Sequence, residues 1–237
     1  MAAHTTPLRA KYRPKGIEIL YEDADVIVVE KPCGLLTMGT ERDKTRTVHT
    51  ILNEYVRKGD PRSRNRVYIV HRLDRETSGI LIFARSEAVK QILQGQWQET
   101  EKHYLTIVHG RMKERQGTIS SYLTENSAFT VYSTPDPTQG KLSHTAYRVL
   151  KESNGFSLLD IHLLTGRKHQ IRVHLSEQGH PVAGDTKYGR GQRAGAQLAL
   201  HAARISFRHP VNGKRLTFTS GVPERFIRLI GKVLPDE

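Results

Sequence analysis

The sequence predicts an α+β fold with a mixed, mostly antiparallel sheet. Three observations carry this expectation. Short apolar runs rich in β-branched residues outnumber the stretches with helical spacing. Many neighbouring runs are joined by turns too short for a crossover helix, which argues against a βαβ repeat. Neither an internal repeat nor a low-complexity linker divides the chain. With 237 residues it can bury a sizeable core. Residues 1–16, with two prolines and several basic residues, read as a loose arm, and residues 17–237 as one domain.

The elements follow in order. "IEILYEDADVIVVEK" gives two short strands around an acidic turn, Glu22 to Asp25, and Val26 to Val29 is a continuous run suited to a strand buried on both faces. Pro32 and Gly34 break it. Val48, Ile51, Leu52 and Tyr55 have helical spacing, with Thr47 as the cap. "RKGDPRSRNR" is then either a solvated disordered loop or a phosphate-contacting one. Val67 to Val70 and Gly79 to Arg85 read as strands joined by a loop, and Ser86 caps a helix expected to run to Gln98. Lys102 to Gly110 is a strand, and residues 117–163 are strands and turns. "TGRKHQIRVHLSEQG" switches to helical spacing, with Ile171 and Leu175 on one face and Gly179 as the stop. Two more strands and a final helix follow, with Pro223 at its first position.

Charge gives the first functional indication. Lys and Arg number 37 against 24 acids, a net charge of +13. That is the footprint of a polyanion binder, with a basic protein of other function as the alternative. No apolar run approaches the roughly 18 residues of a spanning helix, no long amphipathic basic helix suits a membrane surface, and the N-terminus lacks the apolar stretch of a secretory signal. The lone cysteine, Cys33, cannot form an internal disulfide, nor is there a CxxC pair for zinc; a reducing compartment, the cytoplasm, fits this. Nothing near Cys33 in sequence resembles a base that would make it a nucleophile.

The usual devices are missing from the sequence: no GxxxxGK[ST], no GxGxxG after a strand, no HExxH, no GxSxG. His169 and His174 are five apart on the expected helix, so their faces diverge by about 140° and they make poor metal co-ligands. A catalytic metal is therefore not expected. Three features remain. Asp74, in "VHRLDRETSG", lies on a loop between two strands with Arg72 and Arg75 beside it. It is a solvated charge, half of a structural pair, or a catalytic carboxylate; nearby positive charge favours the ionised form of an acid, which can act as nucleophile or base. Arg167, Lys168, His169, Arg172 and His174 crowd a turn-to-helix junction, where phosphates bind, or form an exposed basic helix. Tyr104 is either half-buried strand packing or a ring that stacks on an unstacked base.

"HRLDRETSG" with "ILIFAR", then "KHYLTIVHG", then "LLTGRKHQIRVHLSEQGHPVAGDTKYG", together with the opening "ILYEDADVIVVEKPCGLLT", resemble the RluA-type family of RNA pseudouridine synthases. The resemblance covers roughly residues 17–220, in chain order. It implies a single pseudouridine synthase catalytic domain, with a bent sheet flanked by helices and loops around a central active-site cleft, that isomerises specific uridines of structured RNA, ribosomal or transfer, without metal or cofactor. A monomer is expected. Asp74 would be the catalytic aspartate, adding to the sugar, adding to the base, or assisting a glycal route. Tyr104 would stack on the flipped base and serve in proton transfer at the sugar. Arg172 would pair with the aspartate, Ile171 would form part of the apolar wall, and Arg72 would fill the gap left by the flipped nucleotide. Arg167, Lys168 and His169 would contact RNA. Many members carry a small N-terminal RNA-binding module; the stretch before Ile17 is too short for one, so RNA selection is expected to rest on the catalytic domain, the basic arm and Arg57 to Arg66. The competing reading is an RNA-binding protein of the same fold that has lost catalysis; Asp74, Tyr104 and Arg172 are all present, which argues against it. A metal-dependent nuclease is rejected because carboxylates and histidines are not expected to cluster.

Overall fold

The computed structural model describes residues 14–39, 46–189, 191 and 197–232, so most of the expected basic arm lies outside the described residues. The chain forms two compact units: residues 1–100 with 207–218, and residues 101–206 with 219–237.

In the first unit, β1 (Glu18–Glu22) and β2 (Val26–Lys31) form the expected antiparallel hairpin. The acidic turn closes itself: Asp23 Oδ1 accepts the N–H groups of Asp25 and Val26, each at 2.8 Å. β2 pairs with β4 (Ser78–Ala84), and Val26 to Val29 are 0% exposed, as a strand covered on both faces requires. β3 is only Tyr68–Ile69, shorter at each end than the expected Val67 to Val70, and pairs with the end of β4. Helix α1 (Val48–Arg57) has Thr47 as its cap, in a reciprocal arrangement with Thr50. Helix α2 (Glu87–Gly95) is capped by Ser86 and stops before Gln98, because the chain tightens into a 3-10 turn over Trp97–Glu99.

The second unit is a run of antiparallel neighbours in the order β10, β5, β9, β8, β6, β7. Their ranges are β5 Glu101–His109, β6 Gln116–Glu125, β7 Val131–Thr134, β8 Lys141–Ser153, β9 Phe156–Leu163 and β10 Leu200–Arg208. The last two residues of β10 belong to the first unit, as does most of β11 (Arg215–Thr219), which pairs with β10. β8 and β9 are joined by Asn154 and Gly155, with φ of 53° and 75°; positive φ at both positions suits the twist of a two-residue hairpin. Ile107, Val108, Leu158, Leu159 and Ile161 form the centre of the core, with Leu175, Val182 and Phe226 packed into it. Helix α4 (Glu224–Ile230) supplies Phe226; Pro223 sits one residue outside it, at the cap.

Helix α3 (Gln170–Glu177) is not the exposed basic helix that its composition allowed. Every side chain from Gln170 to Leu175 is buried. Its polar members are tolerated because they are bonded. Gln170 Nε2 donates to His144 O and Thr145 Oγ1, and His174 lies between Thr145 Oγ1 at 2.9 Å and Ser121 Oγ at 3.0 Å. Among the described residues no helix is long and apolar enough to cross a membrane.

Burial pushes the imidazoles of His174 and His201 down to about 4. Both are therefore neutral in the folded protein near pH 6, whereas the unfolded chain begins to bind their protons near the ordinary value of about 6.5. Stability should accordingly fall as pH drops from 6.5 towards 4, by up to about 1.4 kcal/mol per pH unit for each group. Urea unfolding at pH 7.5, 6.0 and 5.0 measures this; a flat profile contradicts the burial of neutral histidines.

Candidate functional site

Asp74 stands on the loop from Val70 to Thr77, between β3 and β4, and the loop is tied down residue by residue. Thr37 Oγ1 donates to Leu73 O at 2.9 Å and accepts Leu73 N–H at 3.2 Å, so both backbone groups beside Asp74 are held by one hydroxyl. Thr77 N–H closes a turn on Asp74 O at 3.2 Å. Gly34 N–H reaches Arg75 O at 2.9 Å, and the Cys33 thiol donates to Glu76 O. Beneath them lies Lys31, 0% exposed, whose ammonium donates to Pro32 O, Leu35 O and Arg75 O at 3.0, 2.7 and 3.0 Å. The first N–H groups of α1 complete the chain of support, since Val48 and His49 donate to Leu36 O and Thr37 O. Cys33 thus helps to hold the turn. Arg72 is exposed, with Nη1 3.8 Å from Met38 Sδ.

The other expected residues lie in the second unit. Tyr104 is half-buried on β5, between Ala202 of β10 and Ile161 of β9, and packs on the apolar core. Lys102, two residues earlier on the same strand face, is buried, and desolvation pushes its amine down. Arg172, 7% exposed, is gripped by Asp185: Nε to Oδ2 at 2.7 Å and Nη2 to Oδ1 at 2.8 Å. Burial pushes the Asp185 carboxyl up, but the Arg172 hydrogen bonds and charge, with the N–H groups of Tyr188 and Lys187, hold it below its usual value. The Tyr188 ring lies 5.1 Å from the guanidinium, and its hydroxyl accepts from Val131 N–H and meets His169 Nδ1 at 2.7 Å. His169 takes a left-handed φ of 55° at the start of α3. Gly184 fixes the approach to Asp185: at φ +78°, a Cβ there would lie 2.2 Å from Gln197 O.

Ile171 is buried in the core. Arg167 and Lys168 are exposed; Lys168 is ion-paired with Glu125 and lies over the Phe129 ring. Sequence reasoning missed Lys31, Thr37, Asp185 and Tyr188. The only signal for them was position: each falls inside a quoted block, "EKPCGLLT" or "GDTKYG".

Contrary to the expectation that carboxylates and histidines do not cluster, one group among the described residues has the spacing of metal ligands: Asp23, Asp25 and His209, in the first unit. Its hydrogen bonds describe a structural clamp. His209 Nδ1 accepts the N–H groups of Val211 and Asn212, which leaves the ring proton on Nε2, facing Asp23 Oδ2 at 2.9 Å.

A carboxylate on an immobilised loop, a strand tyrosine and a gripped arginine, in a strongly basic chain, are parts suited to an enzyme acting on a polyanion. The sequence profile described as RNA pseudouridylate synthase matches residues 25–177, and the chain belongs to that family. It is thus an RNA pseudouridine synthase, an isomerase. An uncharacterized RNA pseudouridine synthase of Bacillus subtilis is 31% identical over 220 residues, covering 92% of this chain and 76% of the relative. The ribosomal large subunit pseudouridine synthase D of Neisseria meningitidis is 34% identical over 231 residues, covering 92% of this chain and 61% of that protein. The structure of human RNA pseudouridylate synthase domain containing 4 has the same fold, with a TM-score of 0.74 at 22% identity over 89% of this chain and 90% of that one.

Two substitutions test the supports. Lys31→Met removes a donor from three carbonyls and should lower stability by about 3 kcal/mol, seen in urea unfolding. Asp185→Ala leaves a buried guanidinium without its bidentate partner, and a loss of about 3 kcal/mol is expected. Changes below about 0.5 kcal/mol would show that these groups are not holding the structure.

Proposed function

We propose that this protein converts specific uridines of structured RNA, ribosomal or transfer, to pseudouridine, with Asp74 as the catalytic carboxylate. The observation that carries the proposal is the immobilised turn at Leu73 to Thr77, which presents one aspartate from a backbone held by Lys31, Cys33, Gly34 and Thr37. Such rigidity is what a reacting side chain needs. The name of the Neisseria relative favours ribosomal RNA among possible substrates.

In the reaction the bond from C1′ to N1 of uracil breaks, the base turns, and C1′ bonds to C5. C5 then loses its hydrogen to water, and N1 gains one. Reaching C1′ and C5 requires the nucleotide to leave its stack, at a cost of a few kcal/mol. Arg72, exposed beside the turn, is suited to fill the vacated place by stacking and phosphate contact. Tyr104 stacks on the flipped base and moves a proton at the sugar, Ile171 contributes apolar wall, and Arg172 supplies positive charge to the aspartate. Arg167, Lys168 and His169 contact the RNA. No metal or other cofactor takes part, and the enzyme works as a monomer in the cytoplasm.

Tritium release from RNA carrying 5-tritiated uridine tests the roles. Asp74→Ala should lower release at least about 10³-fold with RNA binding kept; retained activity sinks the assignment. Tyr104→Phe should fold normally yet lose about 10²-fold in turnover, and normal turnover removes its proton role. Arg172→Lys should lose more in turnover than in binding, whereas equal losses would make it a phosphate contact. Binding without release in the wild-type protein would favour an RNA-binding protein without catalysis. Transcriptome-wide pseudouridine mapping with and without the gene names the RNA and the position together.

A further inference from the structure

We propose that the segment Arg57 to Arg66 is a preformed phosphate track that carries the RNA backbone towards the Asp74 loop. The inference rests on the reading of the protein as an RNA pseudouridine synthase and names a binding surface for that RNA.

The segment has five cations, Arg57, Lys58, Arg62, Arg64 and Arg66, against one carboxylate, Asp60. A run of this composition usually repels itself and stays disordered. Here it is folded. Asp60 N–H bonds Arg57 O at 2.9 Å, and Ser63 N–H bonds Asp60 O at 3.2 Å. Asp60 Oδ1 accepts Arg62 N–H, Ser63 Oγ accepts Asn65 N–H, and Asn53 Oδ1 accepts Val67 N–H. The one acid is therefore engaged with backbone, and its bond helps to hold a loop of like charges together.

The cations themselves have no acidic partner among the described residues. Elsewhere, Arg85 has Glu22, Lys90 has Glu87 and Arg208 has Glu99. Among the described residues no ion pair involves Arg57, Lys58, Arg62, Arg64 or Arg66. Four of the five are exposed, and Arg57 Nε is buried with no acceptor among the described residues. A surface made only for solubility needs no ordered backbone beneath a row of like charges, whereas a phosphate track uses both the order and the charge. Position supplies the direction: the segment runs straight into β3 and then into the loop bearing Arg72 and Asp74, within one unit.

The test is a salt titration. Phosphate contacts are sequence-independent, so an unmodified transcript of large-subunit ribosomal RNA and an unmodified tRNA transcript both serve as probes. The full chain with Arg62, Arg64 and Arg66 all changed to Ala should bind each about tenfold or more weakly near 0.1 M salt. The slope of log affinity against log salt should fall by about three. The triple change to Lys should restore most of the affinity, and kcat on whichever transcript releases tritium should stay within about twofold. Arg228→Ala, which removes an exposed arginine of α4 paired with Glu224, should leave the slope unchanged. Unchanged affinity in the triple Ala variant overturns the proposal. So does weaker binding with an unchanged slope, or failure of the Lys variant to restore binding. A wild-type protein that releases no tritium but shows the slope change would refute the catalytic reading and leave the track standing.

Discussion

One buried ammonium underlies the architecture around Asp74. Lys31 ends an apolar strand with no exposed surface and spends its charge on three carbonyl oxygens, two from its own turn and one from Arg75. An isolated ammonium in that position would be too costly to keep. The carbonyls make it tolerable, and in return it fixes the turn that presents the aspartate. Thr37, Gly34 and the cap of α1 extend the same logic outward, so that the turn inherits the rigidity of a strand and a helix.

The second unit solves a comparable problem by pairing. Arg172 lies in the buried stretch Gln170 to Leu175 of α3, where a guanidinium survives only with a partner of matched geometry. Asp185 provides that match, and two backbone N–H groups orient the carboxylate from the other side. Tyr188 covers the guanidinium face and ties strand β7 to the start of α3 through its hydroxyl. Removing any of these members loosens the arginine's fork as well as its charge.

What the sequence disclosed and what it hid divide along the range of the forces involved. The hairpin at Glu18–Lys31, the caps Thr47 and Ser86 and the fully buried Val26 to Val29 were legible, because each depends on neighbours a few residues away. Asp74 was visible as a candidate from its loop, and its particular importance came from a family pattern. Lys31 looks locally like the polar end of a strand, since nothing nearby says that its ammonium meets Arg75, 44 residues on. The crowding of Arg167, Lys168, His169, Arg172 and His174 allows an exposed basic helix, yet Gln170, Arg172 and His174 are buried. Their partners come from β6, β8 and the segment after the helix, which periodicity does not reveal. Asp185 was in plain view among quoted residues, yet its role is defined only by the three-dimensional path from α3.

The division of the chain between its two units carries a consequence for dissection. The backbone passes from one unit to the other three times, after Thr100, after Ser206 and after Phe218. Neither unit is a contiguous stretch of sequence, and a cut at any of these crossings other than the first falls inside a strand. A ribosome making this chain has released the first hundred residues long before it supplies Phe207 to Phe218, the remainder of that unit. Separating the two units therefore takes more than one cut, and two of the three crossings sever a strand.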